Sequence, residues 1–170
     1  LLEYFTNLYI ITDAYESVMQ IKMKLKDDER IKVKMMDYAH TDFQDESFEL
    51  IYAQGSISVP DRKDIVKELK RILKSRGLFC AGEIVSLKEP VQGFVNDIWE
   101  RSGLEPMASS AVNKYYESKG FEVLSERDLS HTLKDFYEIT FSVVSKTGKA
   151  EKEEDKKYFF HFYQPAFFTR

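Results

Sequence analysis

Two aspartates stand where a carboxylate can hold a polar ligand. Asp13 follows the apolar run Leu8-Tyr9-Ile10-Ile11, and Asp37, 24 residues later, follows Ile31-Lys32-Val33-Lys34-Met35. An ionised acid just past a strand end can accept two hydroxyls at once, a geometry that favours an acid over an amide. Plainer roles stand beside this one. Asp13 in Asp13-Ala14-Tyr15-Glu16 also reads as a helix N-cap, and Asp37 as a loop aspartate. Gln54-Gly55 breaks the apolar run that starts at Phe48, and Gly55 also suits a turn with positive φ. Glu83 closes another run and can position an amine or hydroxyl, or cap the next turn. His131, after Ser130, is a base or part of a cap; Trp99 and Phe94 line an acceptor pocket or pack in a core. Cys80, on an apolar strand, reads as an inert core residue. His40, His131 and His161 lack metal-ligand spacing, so no zinc site is expected.

The elements around these residues alternate. Leu8–Ile11 suits a strand buried on both faces, as in a parallel sheet. Val18, Ile21 and Leu25 fall on a helical stripe, and Ile31–Met35 alternates like an edge strand guarded by lysines. Phe48–Ala53 reads as a second buried strand. Pro60-Asp61 introduces a helix with Ile65, Leu69, Ile72 and Leu73 on one face, and Gly77 is expected as its left-handed cap. Leu78–Ala81 begins a central strand. Strand and helix in this order give an α/β sheet with crossover helices. Residues 87–107, with two prolines and two glycines, read as irregular or short-helical. Ala108–Lys119 returns to helix and ends at Gly120, and Phe121–Leu124 is a strand. Thr132–Ser145 fits helix or strand, Glu151–Lys157 a solvated connection, and Tyr158–Phe168 an aromatic last strand interrupted by Pro165.

Composition narrows the class. The chain has 170 residues, enough for one domain, with 43% hydrophobic residues, 32% charged and a net charge of −4. That acidic balance makes nucleic acid an unexpected partner. A single cysteine excludes a disulfide framework, and no apolar run approaches the roughly 20 residues that span a bilayer. A globular domain with a cytoplasmic setting is the expectation.

Three segments in order carry a resemblance. They are Leu8-Tyr9-Ile10-Ile11-Thr12-Asp13-Ala14; then Met36-Asp37-Tyr38-Ala39 with Phe43-Gln44-Asp45-Glu46-Ser47-Phe48-Glu49-Leu50-Ile51; then Glu68-Leu69-Lys70-Arg71-Ile72-Leu73-Lys74-Ser75-Arg76-Gly77-Leu78. Together they resemble the class I S-adenosylmethionine-dependent methyltransferases of small-molecule type, over roughly residues 1–86. Ser75-Arg76 replaces the usual Pro-Gly. The family's glycine-rich loop and first strand should precede Leu1, so the expectation is a chain that lacks its start.

The resemblance implies a doubly wound, mostly parallel sheet with strand order 3-2-1-4-5-7-6, its first strand absent, over residues 1–170. It implies S-adenosyl-L-methionine as cofactor, with Asp13 on the ribose hydroxyls, Asp37 on the adenine amino group and the Tyr38 N–H facing a ring nitrogen. Ala14 would flank the adenine, and Gln54 would lie near the reactive methyl. Glu83, Trp99 and His131 are the candidate substrate residues, with residues 87–107 as the acceptor-pocket insertion. Methyl transfer is an in-line displacement that needs alignment more than acid–base groups, so the lack of a triad is compatible with it. The rival reading is a non-catalytic binding or partner subunit of the same fold. A Rossmann-type dehydrogenase is disfavoured, since its fingerprint glycines are missing as well.

Overall fold

The computed structural model describes residues 5–25, 28–131 and 164–169. The first apolar run forms β1 (Leu8–Thr12), and α1 (Tyr15–Lys24) carries the chain back to β2 (Ile31–Met35), which pairs parallel to β1 with Leu8 opposite Ile31 and Thr12 opposite Met35. Next come β3 (Phe48–Gln54), α2 (Arg62–Ile72) and β4 (Leu73–Glu83), with β3 and β4 parallel. Both pairs are right-sized strand–helix–strand units, the form that connects parallel strands. Beyond them lie β5 (Val85–Ser86), α3 (Gly93–Arg101), β6 (Met107–Ala108), a 3₁₀ turn at Ser109–Ala111, α4 (Val112–Ser118), β7 (Glu122–Glu126) and β8 (Gln164–Thr169).

The strands order as β2-β1 in one sheet and β3-β4-β8-β7 in another, with β8 antiparallel to both its neighbours. Written in the numbering of the expected order, that is 3-2 and 4-5-7-6. Among the described residues no strand pairs with β1 on the side away from β2, nor with β3 on the side away from β4. The ring of Phe43 bridges the two sheets, packing edge-on against Tyr9 of β1 at 5.3 Å and Phe48 of β3 at 4.7 Å.

The core lies between α2, α4 and one face of β4. Phe79 is fully buried, its ring 5.9 Å from Tyr116 and 5.7 Å from Phe121, with Ile65, Val66, Leu69 and Val112 closing the cluster. Cys80, on the opposite face of β4, is buried too, and desolvation raises its thiol pKa, as expected of an inert residue.

Several expectations change. β1 and β3 are not buried on both faces: only Thr12 of β1 is buried, and Leu50 and Tyr52 of β3 are exposed. Among the described residues each strand has a hydrogen-bonded neighbour on one side alone. Gly77 does not cap α2. The helix ends at Ile72 because Leu73 already pairs with Phe48, and the positive φ (63°) falls on Arg76. Gly77 is needed for closeness instead, since a Cβ there would sit 2.8 Å from the Leu73 side chain. Gly120 does end its helix with positive φ (79°), and the Phe121 N–H bonds back to the Tyr116 carbonyl. Residues 87–107 contain a regular helix, α3, held between β5 and β6, which pair parallel. Pro165 lies inside β8, opposite Gly82, and does not interrupt the strand. The segments Thr132–Ser145 and Glu151–Lys157, and the start of the aromatic run, lie outside the described residues.

Candidate functional site

A cavity of about 830 Å³ opens where β1, β2 and β3 end. Its walls come from three places. Asp13 follows β1; Met35, Met36, Asp37 and Tyr38 end and follow β2; Gln54, Gly55, Ser56, Val59, Asp61 and Ile65 run from β3 into α2. Ligands in open α/β sheets bind beyond the carboxyl ends of the strands, at the point where the strand order reverses. Among the described residues the lining carries three carboxylates and no Lys, Arg or His.

Asp13 and Asp37 reach this cavity because their strands end level, Thr12 opposite Met35. Asp13 does not cap α1. The N-cap is Ala14, without a side-chain cap bond, and the Ala14 N–H donates to Thr12 Oγ1 at 3.3 Å. Among the described residues the Asp13 carboxylate has one hydrogen-bond partner, the Tyr38 hydroxyl, at a long 3.5 Å. Most of its lone pairs therefore remain available to a ligand. Asp37 is engaged in its own loop: Oδ1 accepts the Ala39 N–H at 2.8 Å and Oδ2 lies 3.1 Å from His40 Nδ1. The Ala39 N–H, then His40, hold this carboxyl below its ordinary pKa, so it stays ionised. With about four acceptor sites on two oxygens, it keeps room for another donor.

Gln54 meets two neighbours at its side-chain amide. The Tyr52 hydroxyl donates to its Oε1 at 2.6 Å, and its amide lies against Gly82, where a Cβ would come within 2.4 Å of Oε1. Gly55 follows with φ of 67° and an N–H that donates to the Gly82 carbonyl at 2.8 Å. The turn thus needs glycine, as a positive φ requires.

The remaining sequence candidates lie apart from the cavity walls. Ala14 is half-buried at the start of α1. Trp99 is buried on α3, and Phe94 on the same helix is exposed. His131 is exposed beyond Asp128, whose carboxylate accepts the Ser130 N–H. Glu83 is fully buried at the end of β4. One oxygen accepts the Ser58 hydroxyl at 2.5 Å and the other the Tyr116 hydroxyl; burial, then the neighbouring carboxylate, raise the Tyr116 phenol strongly. Ser58 Oγ in turn accepts the Ile84 N–H at 2.9 Å. Glu83 therefore fastens the segment after β3, which carries Ser56, Val59 and Asp61, onto β4 and α4.

Sequence reasoning did not single out Asp61. Pro60-Asp61 reads as a helix start, and Asp61 is the N-cap of α2 by position, yet it makes no cap bond and its residue lines the cavity. Nothing in the sequence distinguishes a cap that is used from one that is not.

Residues 1–81 match a sequence family described as a methyltransferase domain. The chain is similar to a sarcosine/dimethylglycine N-methyltransferase of Halorhodospira halochloris, 26% identical over 129 residues, covering 74% of this chain and 43% of that protein. It thus spans well under half the length of that relative. Among solved structures, a putative sarcosine dimethylglycine methyltransferase from Galdieria sulphuraria superposes with TM-score 0.72 at 16% identity, over 96% of this chain and 69% of that one. A geranyl diphosphate C-methyltransferase from Streptomyces coelicolor, solved with S-adenosyl-L-homocysteine, gives 0.77 at 12% identity, over 97% and 63%.

Proposed function

We propose that the chain is a class I S-adenosylmethionine-dependent methyltransferase, whose cavity binds S-adenosylmethionine and directs the methyl group to a small-molecule acceptor. The observation that carries this reading is the meeting of Asp13 and Asp37, from two paired parallel strands, in one cavity with no cationic side chain among its described lining residues. The residues suit the cofactor. About 830 Å³ lies in the range of small-molecule sites, and the nearly unpartnered Asp13 carboxylate can accept two ribose hydroxyls. Asp37, kept ionised by its loop, accepts the adenine amino group, with the Tyr38 N–H toward a ring nitrogen and Ala14 beside the base. Gln54 stands on the side of the reacting carbon. When bound, the cofactor supplies a methyl on a sulfonium, open to displacement by a nucleophile.

The chain's own contribution is alignment. Glu83 fixes the Ser58 segment, which this reading assigns to the acceptor side, and Trp99 and His131 are its candidate substrate residues, although neither lines the cavity. The acceptors named for the similar proteins, an amine and a diphosphate, differ in chemistry. This reading keeps the cytoplasmic setting expected from the sequence. No helix among the described residues is long and apolar enough to cross a membrane.

Calorimetric titration with S-adenosylmethionine and S-adenosylhomocysteine tests the proposal. Both should bind, and Asp13→Ala should weaken each about 10–100-fold, as expected for one or two bonds to a charged acceptor. Folded protein that binds neither, or an Asp13→Ala variant with unchanged affinity, refutes it.

A further inference from the structure

The Glu68…Arg71 pair belongs to the third segment that the sequence singled out, yet neither residue lines the cavity. Glu68 lies on α2 three residues beyond Ile65, which does. Its carboxylate turns away from the helix to the connection between β2 and β3. Oε1 accepts the backbone N–H of Thr41 at 2.9 Å and the Thr41 hydroxyl at 2.5 Å. Arg71, one turn on, grips the same carboxylate with two bonds, Nε to Oε2 at 2.8 Å and Nη2 to Oε1 at 2.6 Å, while its Nη1 reaches Asp45 Oδ1 at 2.6 Å. The Arg71 and Ile72 carbonyls accept the N–H groups of Glu46 and Ser47.

Residues 36–47 have no helix or sheet ladder of their own beyond the single Asp37–His40 bridge. The end of α2 thus holds them at Thr41, Asp45, Glu46 and Ser47. The Glu68 side chain is only 9% exposed, against 65% for Asp42 in the neighbouring Lys34–Asp42 pair. A buried, bidentate, charge-assisted tether is geometrically stiff where an exposed lysine pair is not. Asp37 and Tyr38 are four and three residues from Thr41. Glu68 is also close enough for its charge to oppose ionisation of Asp37, and Arg71 neutralises that charge on the spot.

We infer that Glu68 is a positioning residue for base recognition: through Thr41 it sets the placement of the Asp37–Tyr38 loop against the adenine, with Arg71 holding the carboxylate in place. This rests on the reading of Asp37 given above. Recognition of this kind tolerates displacements of roughly half an ångström, so a loosened loop loses selectivity for the base before it loses the fold.

The test compares S-adenosylhomocysteine with S-inosylhomocysteine, in which a carbonyl replaces the adenine amino group. Wild-type protein should prefer the adenosyl compound about 10-fold or more, the value of one bond to a charged acceptor. Glu68→Gln and Thr41→Val should each cut that ratio several-fold in protein that remains folded by circular dichroism. General destabilisation would weaken both ligands alike and leave the ratio unchanged. A wild-type preference that survives both substitutions overturns the inference alone. Wild-type protein that binds the two ligands equally overturns the reading of Asp37, and the inference with it.

Discussion

Two acids at neighbouring strand ends do different work because their surroundings differ. Among the described residues Asp13 has a single long bond from Tyr38, whereas Asp37 is fixed by the Ala39 N–H and His40. Gln54 shows how narrow the fit is, since its amide occupies the space that a side chain on Gly82 would need. Gly82→Ala should displace this flexible amide rather than the strand. Stability should change little, while the affinity for S-adenosylmethionine falls about 2–10-fold, the value of one ordinary hydrogen bond. Paired measurements of thermal midpoint and Kd check this; equal affinity in the variant would remove Gln54 from the site. Asp13, Asp37 and Gln54 were legible because each closes an apolar strand-like run. The burial of Glu83 was not, because it depends on Ser58 and Tyr116, 25 and 33 positions away in the chain.

Helix α2 joins the site to the core. Ile65, Leu69 and Ile72 face inward, Asp61 and Ile65 meet the cavity, and Glu68 with Arg71 hold the preceding loop. Hydrogen bonds from Arg71, and more weakly from Thr41, lower the Glu68 pKa from 4.5 to about 2. A carboxyl whose pKa is depressed on folding stabilises the protein above its unfolded value and loses that contribution as pH falls through the folded one. Between pH 4.5 and pH 2 the urea midpoint of the wild type should therefore drop more steeply than that of Glu68→Gln. Parallel curves would show that the carboxylate gains nothing from its partners. The helix itself was plain in the sequence, from its apolar spacing and its Pro-Asp start. Its end was not: Gly77 carries the ordinary cap signal, but pairing of Leu73 with Phe48, 25 residues away, stops the helix earlier. The pairing of β5 with β6 was equally hidden, since two-residue strands leave no period to read.

Across the molecule, the described strands form three sheets, and the strand ends of two of them, β2-β1 and β3-β4-β8-β7, frame one cavity, with Phe43 spanning from Tyr9 to Phe48. The alternation of strand and helix made the α/β class readable, and the resemblance supplied the strand order. The openness of β1 and β3 could not be read from their composition, because an apolar run records what a strand can bury and not what lies beside it. Fold alone leaves chemistry open; in the function proposed above, the cavity acids tie this architecture to a nucleoside. A crystal structure with S-adenosylhomocysteine tests that tie most directly. The ribose hydroxyls should lie on the Asp13 carboxylate, and the adenine amino group on Asp37, each at about 2.6–3.2 Å. A nucleoside seated elsewhere, with both carboxylates facing solvent, would contradict it.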